Sequence, residues 1–262
     1  MKCNYHTHTL RCMHAEGSDE SYVRAAVAAG FDVLGFSDHV PFPFAGGYRS
    51  TIRMPMSDLD DYVDSVRTLK RKYADRIRIH LGFEAEYFPR YRDHLLRLRD
   101  AGTEYFVLGQ HYADSEEDTP YTGLECRTDD GVRRYADAVV NGIQTGLFSC
   151  VAHPDLMMRH RTSDQFNLAC VYASDMICQA AKEADIPIEF NLLGLSLQLA
   201  GIDRGYPSVP FWTHVRRWQN RVIIGVDAHS PLLLRDAALW REGHDRVEAL
   251  GYEITDHLPI DD

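Results

Sequence analysis

The chain has 262 residues, of which 45% are hydrophobic and 26% are charged, with 18 Gly and 11 Pro. This composition excludes a disordered or collagen-like chain, and the length suits one α/β barrel of about 250 residues. We therefore expect a single domain over residues 1–262. The formal net charge of −11 disfavours nonspecific binding to nucleic acids or to anionic membrane surfaces.

The cysteine pattern and the N-terminal sequence indicate a cytoplasmic protein. The six cysteines form no CxxC pair and no dense framework, which is typical of reduced thiols. The chain begins with polar residues, and no apolar run approaches the roughly 18 residues that would indicate a membrane span. Thirteen histidines are the unusual part of the composition.

Short apolar segments alternate with segments of helical spacing along the chain, which is the pattern of repeated βα units around a parallel sheet. Seven strands are predicted, at residues 3–9, 31–37, 77–84, 105–108, 148–152, 187–190 and 221–226. Helices are predicted at residues 21–29, 59–72, 90–100, 131–145, 164–183 and 232–250. The polar segment 113–129 is a candidate lid loop. The predicted fold class is therefore α/β, with one barrel-like domain.

Metal-capable side chains follow nearly every predicted strand at its carboxyl end, where a barrel of parallel strands builds its site. His6 and His8 are two residues apart in an extended segment, so both imidazoles project to the same face. Such a pair, or His14 alone, is as easily an accident of the surface as a metal site. The pattern recurs in the later strands, which end near His39, Glu84, His111, His153, Asp227 and His229. Because burying unpaired ionisable groups is unfavourable, this recurrence predicts a metal cluster at one rim.

Two aspartates adjoin these histidines. Asp38 directly precedes His39, and Asp155 follows His153 by two residues. A carboxylate in such a place often orients a metal-bound imidazole, but it can equally cap a helix or stabilise a loop. The remaining histidines are expected to be structural or solvated, namely His80, His94, His160, His214, His244 and His257.

Taken in chain order, these motifs resemble the PHP (polymerase and histidinol phosphatase) family of metal-dependent phosphoesterases, and most closely its histidinol-phosphate phosphatases. The matching segments are His6-Thr7-His8-Thr9 with Cys12 and His14-Ala15, Ser37-Asp38-His39, Gly82-Phe83-Glu84, His111, His153-Pro154-Asp155-Leu156, Asn191 with Gly194, and Asp227-Ala228-His229-Ser230-Pro231. The pair at the start of the chain is weak evidence by itself, whereas the ordered set is specific. The resemblance implies a distorted seven-stranded (β/α)7 TIM-like barrel.

The resemblance also implies three divalent transition metal ions. The implied ligands of the first ion are His6, His8 and Asp227. Those of the second ion are His111 and His153, with Glu84 bridging the first and second ions. Those of the third ion are His14, His39 and His229. Mixed imidazole and carboxylate ligands suit zinc, iron or manganese better than calcium or magnesium.

A cluster of divalent cations lowers the pKa of a shared water and polarises phosphoryl oxygens. The predicted reaction is therefore hydrolysis of a phosphomonoester by a metal-activated hydroxide, and the predicted partner is a small phosphorylated substrate, with histidinol phosphate as the first choice. A metal-bound water or Asp155 is the candidate acid for the leaving group. The oligomeric state is not predicted.

The match departs from the histidinol phosphatases in the segment that follows the sixth strand. Ser196 stands where that group usually carries a basic residue for the substrate phosphate, and Asn191, which opens the segment, is a candidate substrate contact. Phosphate binding would then depend on the guanidinium group of Arg159, Arg161 or Arg204, although each of these can equally be a surface charge.

Two alternatives therefore remain. One is a PHP phosphoesterase that acts on a nucleotide, a sugar phosphate, a cyclic phosphodiester or phosphotyrosine. The other is a metal-binding domain without catalytic activity, which the complete set of candidate ligands argues against.

Overall fold

The computed structural model describes residues 1–260, and eight parallel strands form one sheet in chain order. Their bounds are β1 Cys3–Asn4, β2 Val33–Phe36, β3 Arg78–Ala85, β4 Tyr105–Leu108, β5 Cys150–Val151, β6 Ile188–Asn191, β7 Val222–Gly225 and β8 Ile254–Thr255. The predicted α/β class is confirmed, but the predicted count of seven strands is wrong. The eighth strand has only two residues, too few for its alternation to stand out in a sequence.

Ten α-helices lie in the described part of the chain. Their bounds are α1 Asp19–Ala28, α2 Leu59–Lys72, α3 Arg92–Asp100, α4 Thr122–Glu125, α5 Asp129–Gln144, α6 Leu168–Glu183, α7 Leu192–Leu199, α8 Val209–Val215, α9 Pro231–Leu234 and α10 Ala237–Ala249. Short 3-10 helices occur at Leu10–Cys12, Met56–Asp58, Pro89–Tyr91, Leu156–Met158, Ser163–Gln165 and Arg216–Trp218. The sequence did not predict α7 or α8, and the predicted closing helix is divided into α9 and α10.

Local side-chain caps explain where several helices begin. Ser18, Thr128, Asn167 and Asn191 each precede a helix and accept a hydrogen bond from a backbone N–H of its first turn. A cap of this kind satisfies one of the N–H groups that a helix start leaves without an internal partner. The cap at Asn191 starts α7 directly at the end of β6, so this helix begins at the rim that carries the site.

The sheet curls until the carboxyl ends of β1 and β7 meet. Thr7 pairs with Ala228 in a parallel bridge, and the N–H of His8 donates to the carbonyl of Ala228 at 3.0 Å. The Asn4 side chain joins the same two strands, because its Oδ1 accepts the N–H of Val226 at 2.8 Å. The sheet is therefore drawn together at this rim, whereas β8 pairs with the earlier part of β7.

Tyr105 fills the space enclosed by the sheet. Its hydroxyl donates to the carbonyls of Tyr5 and Phe36 at 2.8 and 3.0 Å. The ring has room because Gly35 and Gly82 carry no side chain, and a Cβ at either glycine would lie within 2.3 Å of a Tyr105 atom. A larger apolar core lies between the sheet and the helices. In residues 1–260, no helix is both long enough and apolar enough to cross a bilayer.

Candidate metal centre

The side chains predicted as metal ligands lie together where the strands end. Eight of them line one cavity of about 800 Å³, namely His8, His14, His39, Glu84, His111, His153, Asp227 and His229. The ninth, His6, adjoins the same cluster, since its Nε2 lies 3.5 Å from an oxygen of Glu84 and 3.5 Å from an oxygen of Asp227. The predicted convergence of these distant parts of the chain is therefore present in the fold.

Glu84 lies at the centre of the cluster. Its Oε1 is 3.0 Å from His153 Nε2 and 3.5 Å from His111 Nε2. Its Oε2 is 3.0 Å from His39 Nδ1 and 3.4 Å from His8 Nε2. One buried carboxylate thus faces imidazoles from several different strand ends, which is the arrangement that a bridging ligand requires.

Asp227 occupies a second central position, beyond the end of β7. Its Oδ1 is 3.2 Å from His8 Nε2 and 3.3 Å from His229 Nδ1. Asp227 and His153 both have positive φ angles, of 51° and 28°, a region that side chains other than glycine seldom adopt. Such backbone conformations cluster at functional sites, where the surrounding structure holds them in place.

Many polar atoms of the cluster are buried and have no hydrogen-bond partner within the described residues. At the cluster these atoms are His6 Nε2, both ring nitrogens of His8, His39 Nδ1, Glu84 Oε2, His153 Nδ1, Asp227 Oδ1 and His229 Nε2. Leaving a buried polar group unpaired is costly, and a divalent cation would satisfy lone pairs on nitrogen and oxygen together. Five groups of three donor atoms, each within 4.8 Å of one another, lie here. The residues present therefore fit bound metal ions.

Metal binding needs ionised carboxylates and neutral imidazoles, and the pKa directions in the cluster meet this need for the carboxylates and for part of the imidazoles. Burial opposes protonation of His6, His8 and His153, but the carboxylates around them raise the pKa of all three imidazoles above the ordinary value, so a cation that binds here displaces protons. Burial opposes ionisation of Glu84, but the imidazoles around it, His111 foremost, hold its pKa well below the usual range. Burial likewise opposes ionisation of Asp227, and the imidazole of His6 is the main group that keeps its pKa well below the usual range. Burial lowers the pKa of His229 to about 4 and that of His39 well below its ordinary value.

Glu189 is a site residue that the sequence analysis missed. It lies in β6, 2% exposed, and its Oε1 is 2.7 Å from His6 Nδ1. Its Oε2 accepts the backbone N–H of His153 at 3.0 Å. Because a carboxylate only accepts, the Nδ1 of His6 carries the proton and Nε2 faces the cluster. A possible signal in the sequence was the position of this charged residue inside an otherwise apolar strand.

The structure turns Asn191 and Asp38 away from the substrate cavity. The amide of Asn191 donates to Glu189 Oε2 and to Asp227 Oδ2, both at 3.1 Å. Asp38 Oδ1 accepts the N–H of His39 at 2.8 Å and lies 3.6 Å from His8 Nδ1. Both residues therefore orient candidate ligands, and neither lines the cavity. The structure thus places the Asn191 amide between Glu189 and Asp227.

Asp155 also differs from its predicted role as a proton donor. Its Oδ2 accepts the N–H of Ser208 at 2.6 Å and the Trp212 Nε1–H at 3.0 Å, and it is absent from the cavity lining. Burial raises its pKa to about 6. The side chain thus holds Ser208 and Trp212 at the start of α8.

The three candidate arginines differ in whether they line the cavity. Arg159 and Arg204 line the cavity, and Arg159 donates to the hydroxyl of Tyr121 at 3.1 Å. Arg161 lies outside the cavity lining, and its guanidinium is engaged elsewhere. It donates to backbone carbonyls of the neighbouring loops and pairs with Asp129 at 3.3 Å.

The segment 113–129, predicted as a candidate lid, is packed against the barrel and contains α4. Tyr121 and Leu124 line the cavity. The N–H of Thr122 donates to the carbonyl of His111 at 2.7 Å, so the segment is tied to the strand end beside it. In this structure the segment forms part of the cavity wall.

Known proteins similar to this chain point to one family. Residues 4–192 match the PHP domain, a range that ends before the candidate ligands Asp227 and His229. A relative from Deinococcus radiodurans named "Probable histidinol-phosphatase" is 28% identical over 236 residues, which are 87% of this chain and 86% of the relative. A relative of the same name from Schizosaccharomyces pombe is 31% identical over 123 residues, 44% of this chain and 40% of that protein.

Among solved structures, a histidinol phosphate phosphatase from Lactococcus lactis, complexed with zinc, L-histidinol and phosphate, has a similar fold. The TM-score is 0.73 at 18% identity, covering 97% of this chain and 95% of the other. The domain match extends over more than half of the chain and agrees with the family that the motifs predicted. The chain therefore belongs to the PHP domain family.

Proposed function

We propose that the protein is a metal-dependent phosphomonoester hydrolase of the histidinol-phosphate phosphatase type, acting as one domain over residues 1–262. The observation that carries this proposal is the gathering of buried imidazoles and carboxylates with unpaired ring nitrogens around one cavity. The names of two relatives support the substrate, since each is called "Probable histidinol-phosphatase". A small phosphorylated molecule is accordingly the proposed partner.

We assign three zinc, iron or manganese ions to the cluster. The proposed ligands are His6, His8 and Asp227 for the first ion, His111 and His153 for the second, Glu84 between these two, and His14, His39 and His229 for the third. In support, the donor atoms of the last three residues lie within 4.8 Å of one another. When bound, such cations lower the pKa of a coordinated water and polarise phosphoryl oxygens.

The residues of the chain have complementary roles in this proposal. Glu84 and Asp227 supply buried negative charge that offsets the charge of the cations. Glu189 and Asp38 orient imidazoles of the cluster. Arg159 binds phosphate oxygens in this proposal. In support, it lines the cavity, and its Nε is buried without a partner in the described residues. A guanidinium can hold a phosphate through two parallel hydrogen bonds.

The second candidate substrate is a phosphomonoester whose alcohol is more apolar than histidinol. At the position where related enzymes carry a basic residue, Ser196 donates to the carbonyl of Leu193 at 2.8 Å. The neighbouring turns of α7 present Leu193 and Leu197 to the cavity. The wall formed by α7 is therefore apolar, which favours an apolar group in the leaving alcohol.

Activity measurements on the purified protein, loaded separately with zinc, iron or manganese, test both candidates. We expect histidinol phosphate to be hydrolysed with a higher kcat/KM than p-nitrophenyl phosphate, sugar phosphates, nucleotides or phosphotyrosine. If histidinol phosphate is no better than p-nitrophenyl phosphate, the substrate assignment is wrong.

The proposed site itself is tested by Glu84→Gln and Asp227→Asn. Loss of a residue that only orients a metal ligand typically costs about 10–100-fold. Because Glu84 and Asp227 are proposed to bind the ions directly, each substitution should lower kcat by more than this. Circular dichroism should show that both variants remain folded. Wild-type turnover in either variant would place the reaction elsewhere.

A further inference from the structure

Arg53 is a buried cation next to the metal centre that the proposed mechanism does not use. It lies in the connection between β2 and α2 and is 1% exposed. Its two terminal nitrogens donate to the two oxygens of Glu86 at 2.8 and 3.0 Å. Its Nε donates to Glu116 Oε2 at 2.7 Å, and Nη1 also donates to the carbonyl of Val40 at 3.0 Å. The guanidinium therefore joins two carboxylates from different parts of the chain.

The first carboxylate connects Arg53 to a candidate metal ligand. Glu86 is fully buried, and its Oε1, which accepts from Arg53, also lies 3.1 Å from His111 Nδ1. Since the carboxylate only accepts, His111 carries its proton on Nδ1 and turns Nε2 toward Glu84, 3.5 Å away. The bidentate contact with Arg53 fixes the plane of the Glu86 carboxylate, and this fixes the orientation of the imidazole.

The second carboxylate connects Arg53 to the cavity wall. Glu116 belongs to the segment 113–129, which brings Tyr121 to the cavity. Thr51 and Ile52, next to Arg53 in the chain, also line the cavity. The ion pair between Arg53 and Glu116 therefore links the two segments that contribute these residues to the cavity wall.

We propose that Arg53 is a positioning residue with two separable connections: through Glu86 it holds His111 ready for metal binding, and through Glu116 it holds the segment 113–129 against the cavity. The first connection rests on the proposed role of His111 as a metal ligand. It does not depend on which phosphoester is hydrolysed. Zinc binding can therefore test it even if the proposed substrate is wrong.

Two single substitutions separate the connections. Glu86→Gln should weaken zinc binding about 10–100-fold, the range typical for a group behind a metal ligand, and should leave amide hydrogen exchange in residues 113–121 unchanged. Glu116→Gln should do the reverse, with faster exchange in that segment and unchanged zinc affinity. Competition with a chromophoric chelator measures the affinity on metal-free protein. Equal zinc affinity in Glu86→Gln and the wild type, or equal losses in both variants, would overturn the proposal.

The chain offers a matched control. Glu104 faces His80 Nδ1 at 2.8 Å, the same pairing of carboxylate and imidazole, but it precedes β4, and its partner His80, unlike His111, lies outside the cavity lining. Glu104→Gln should therefore leave zinc affinity unchanged. A loss equal to that of Glu86→Gln would mean that any weakened pair of this kind lowers zinc binding, and the specific role of Glu86 would be rejected.

Removal of Arg53 itself needs a second variant, because Arg53→Met leaves two carboxylates buried without their cation and is expected to destabilise the fold. The double variant Arg53→Met, Glu116→Gln keeps Glu86 and removes one positive and one negative charge together, so the net charge of the three side chains is that of the wild type. We expect its thermal stability to recover relative to Arg53→Met while its zinc affinity stays low. Wild-type zinc affinity in the double variant would show that Arg53 acts only through charge balance and would overturn its positioning role.

Discussion

Two glutamates of the centre depend on glycines at the carboxyl ends of the adjacent strands. Glu84 pairs in register with Val107, and Glu189 pairs with Ile223. In both cases the residue two positions beyond the partner is a glycine. A Cβ at Gly109 would lie 1.9 Å from Glu84 Oε1, and one at Gly225 would lie 1.6 Å from Glu189 Oε1. In both cases the missing side chain of the glycine leaves space for the carboxylate, which crosses over the neighbouring strand toward the centre.

At the residue scale, Glu189→Gln should weaken the centre without unfolding the protein. A neutral amide accepts a weaker hydrogen bond from His6, and it can present N–H groups where an acceptor is needed. We expect kcat/KM to fall by about 10–100-fold, with zinc affinity falling in parallel. Unchanged kinetics together with unchanged zinc affinity would show that Glu189 has no positioning role.

The arginines permit a second prediction at this scale. Arg159→Met and Arg204→Met should each raise KM for a phosphomonoester by about 10-fold or more, since a hydrogen bond to a charged group contributes roughly 1.5–3 kcal/mol. Arg161→Met should leave KM unchanged, because Arg161 is bound to carbonyls outside the cavity. Steady-state kinetics on the three variants measure this contrast. A raised KM only in the Arg161 variant would reverse the assignment.

At the scale of elements, the two ends of the strands have different roles. The carboxyl ends present the ligands and the cavity walls, whereas the amino ends hold ion pairs away from the centre. At the start of β4, Glu104 contacts His80 and Lys70 at 2.8 and 2.6 Å. Barrels of parallel strands commonly divide function and stability between their two faces in this way.

The Glu104 pair predicts a pH dependence of stability. Burial opposes ionisation, but hydrogen bonds, foremost with His80, lower the pKa of Glu104 to about 2 from 4.5. The ionised carboxylate therefore stabilises the fold above the unfolded pKa, and this contribution is lost as the pH falls from about 4.5 to 2. The free energy of unfolding of Glu104→Gln should therefore lack this part of the decrease at acid pH, which is at most about 3 kcal/mol. Urea unfolding between pH 5 and pH 3 with EDTA present measures it, and identical pH dependence in both proteins would contradict it.

Short elements explain most differences between the predicted and observed folds. The long, strongly patterned α2 and the strand at 105–108 have the predicted bounds. The first strand is shorter than predicted, because the Asn4 side chain forms hydrogen bonds with the carbonyl of His6 and the N–H of Val226. A strand that continued here would use these backbone groups itself. In α7 the residues are apolar on nearly every side, so helical periodicity is weak and the helix was not predicted.

At the scale of the whole molecule, the sequence reveals the ligand candidates but not their supports. The convergence at the rim could be predicted because parallel strands all end on one side of a barrel. The roles of Glu189 and Arg53 could not, because they depend on side-chain directions and on contacts between residues far apart in sequence. Asp155 shows the same limit, since its place beside His153 does not reveal that it faces Ser208.

The unpaired buried atoms of the centre predict that metal ions stabilise the entire fold. An ion that binds only the folded state adds about 2.7 kcal/mol when its concentration is 100 times its Kd. We therefore expect zinc to raise the Tm of metal-free protein by several degrees and EDTA to reverse the rise. Differential scanning calorimetry measures this shift. A Tm that does not respond to zinc, iron or manganese would contradict a metal centre.

The meeting of β1 with the end of β7 has a consequence for biosynthesis. His6 and His8 leave the ribosome among the first residues, whereas Asp227 and His229 follow only after more than two hundred others. Because Asp227 has not yet been synthesised, His6 and His8 lack this partner during most of translation, and a contact between residues so far apart in sequence forms slowly once the chain is complete. A nascent chain that stops before residue 227 should therefore be unable to retain the first ion, and metal loading should coincide with the final steps of synthesis.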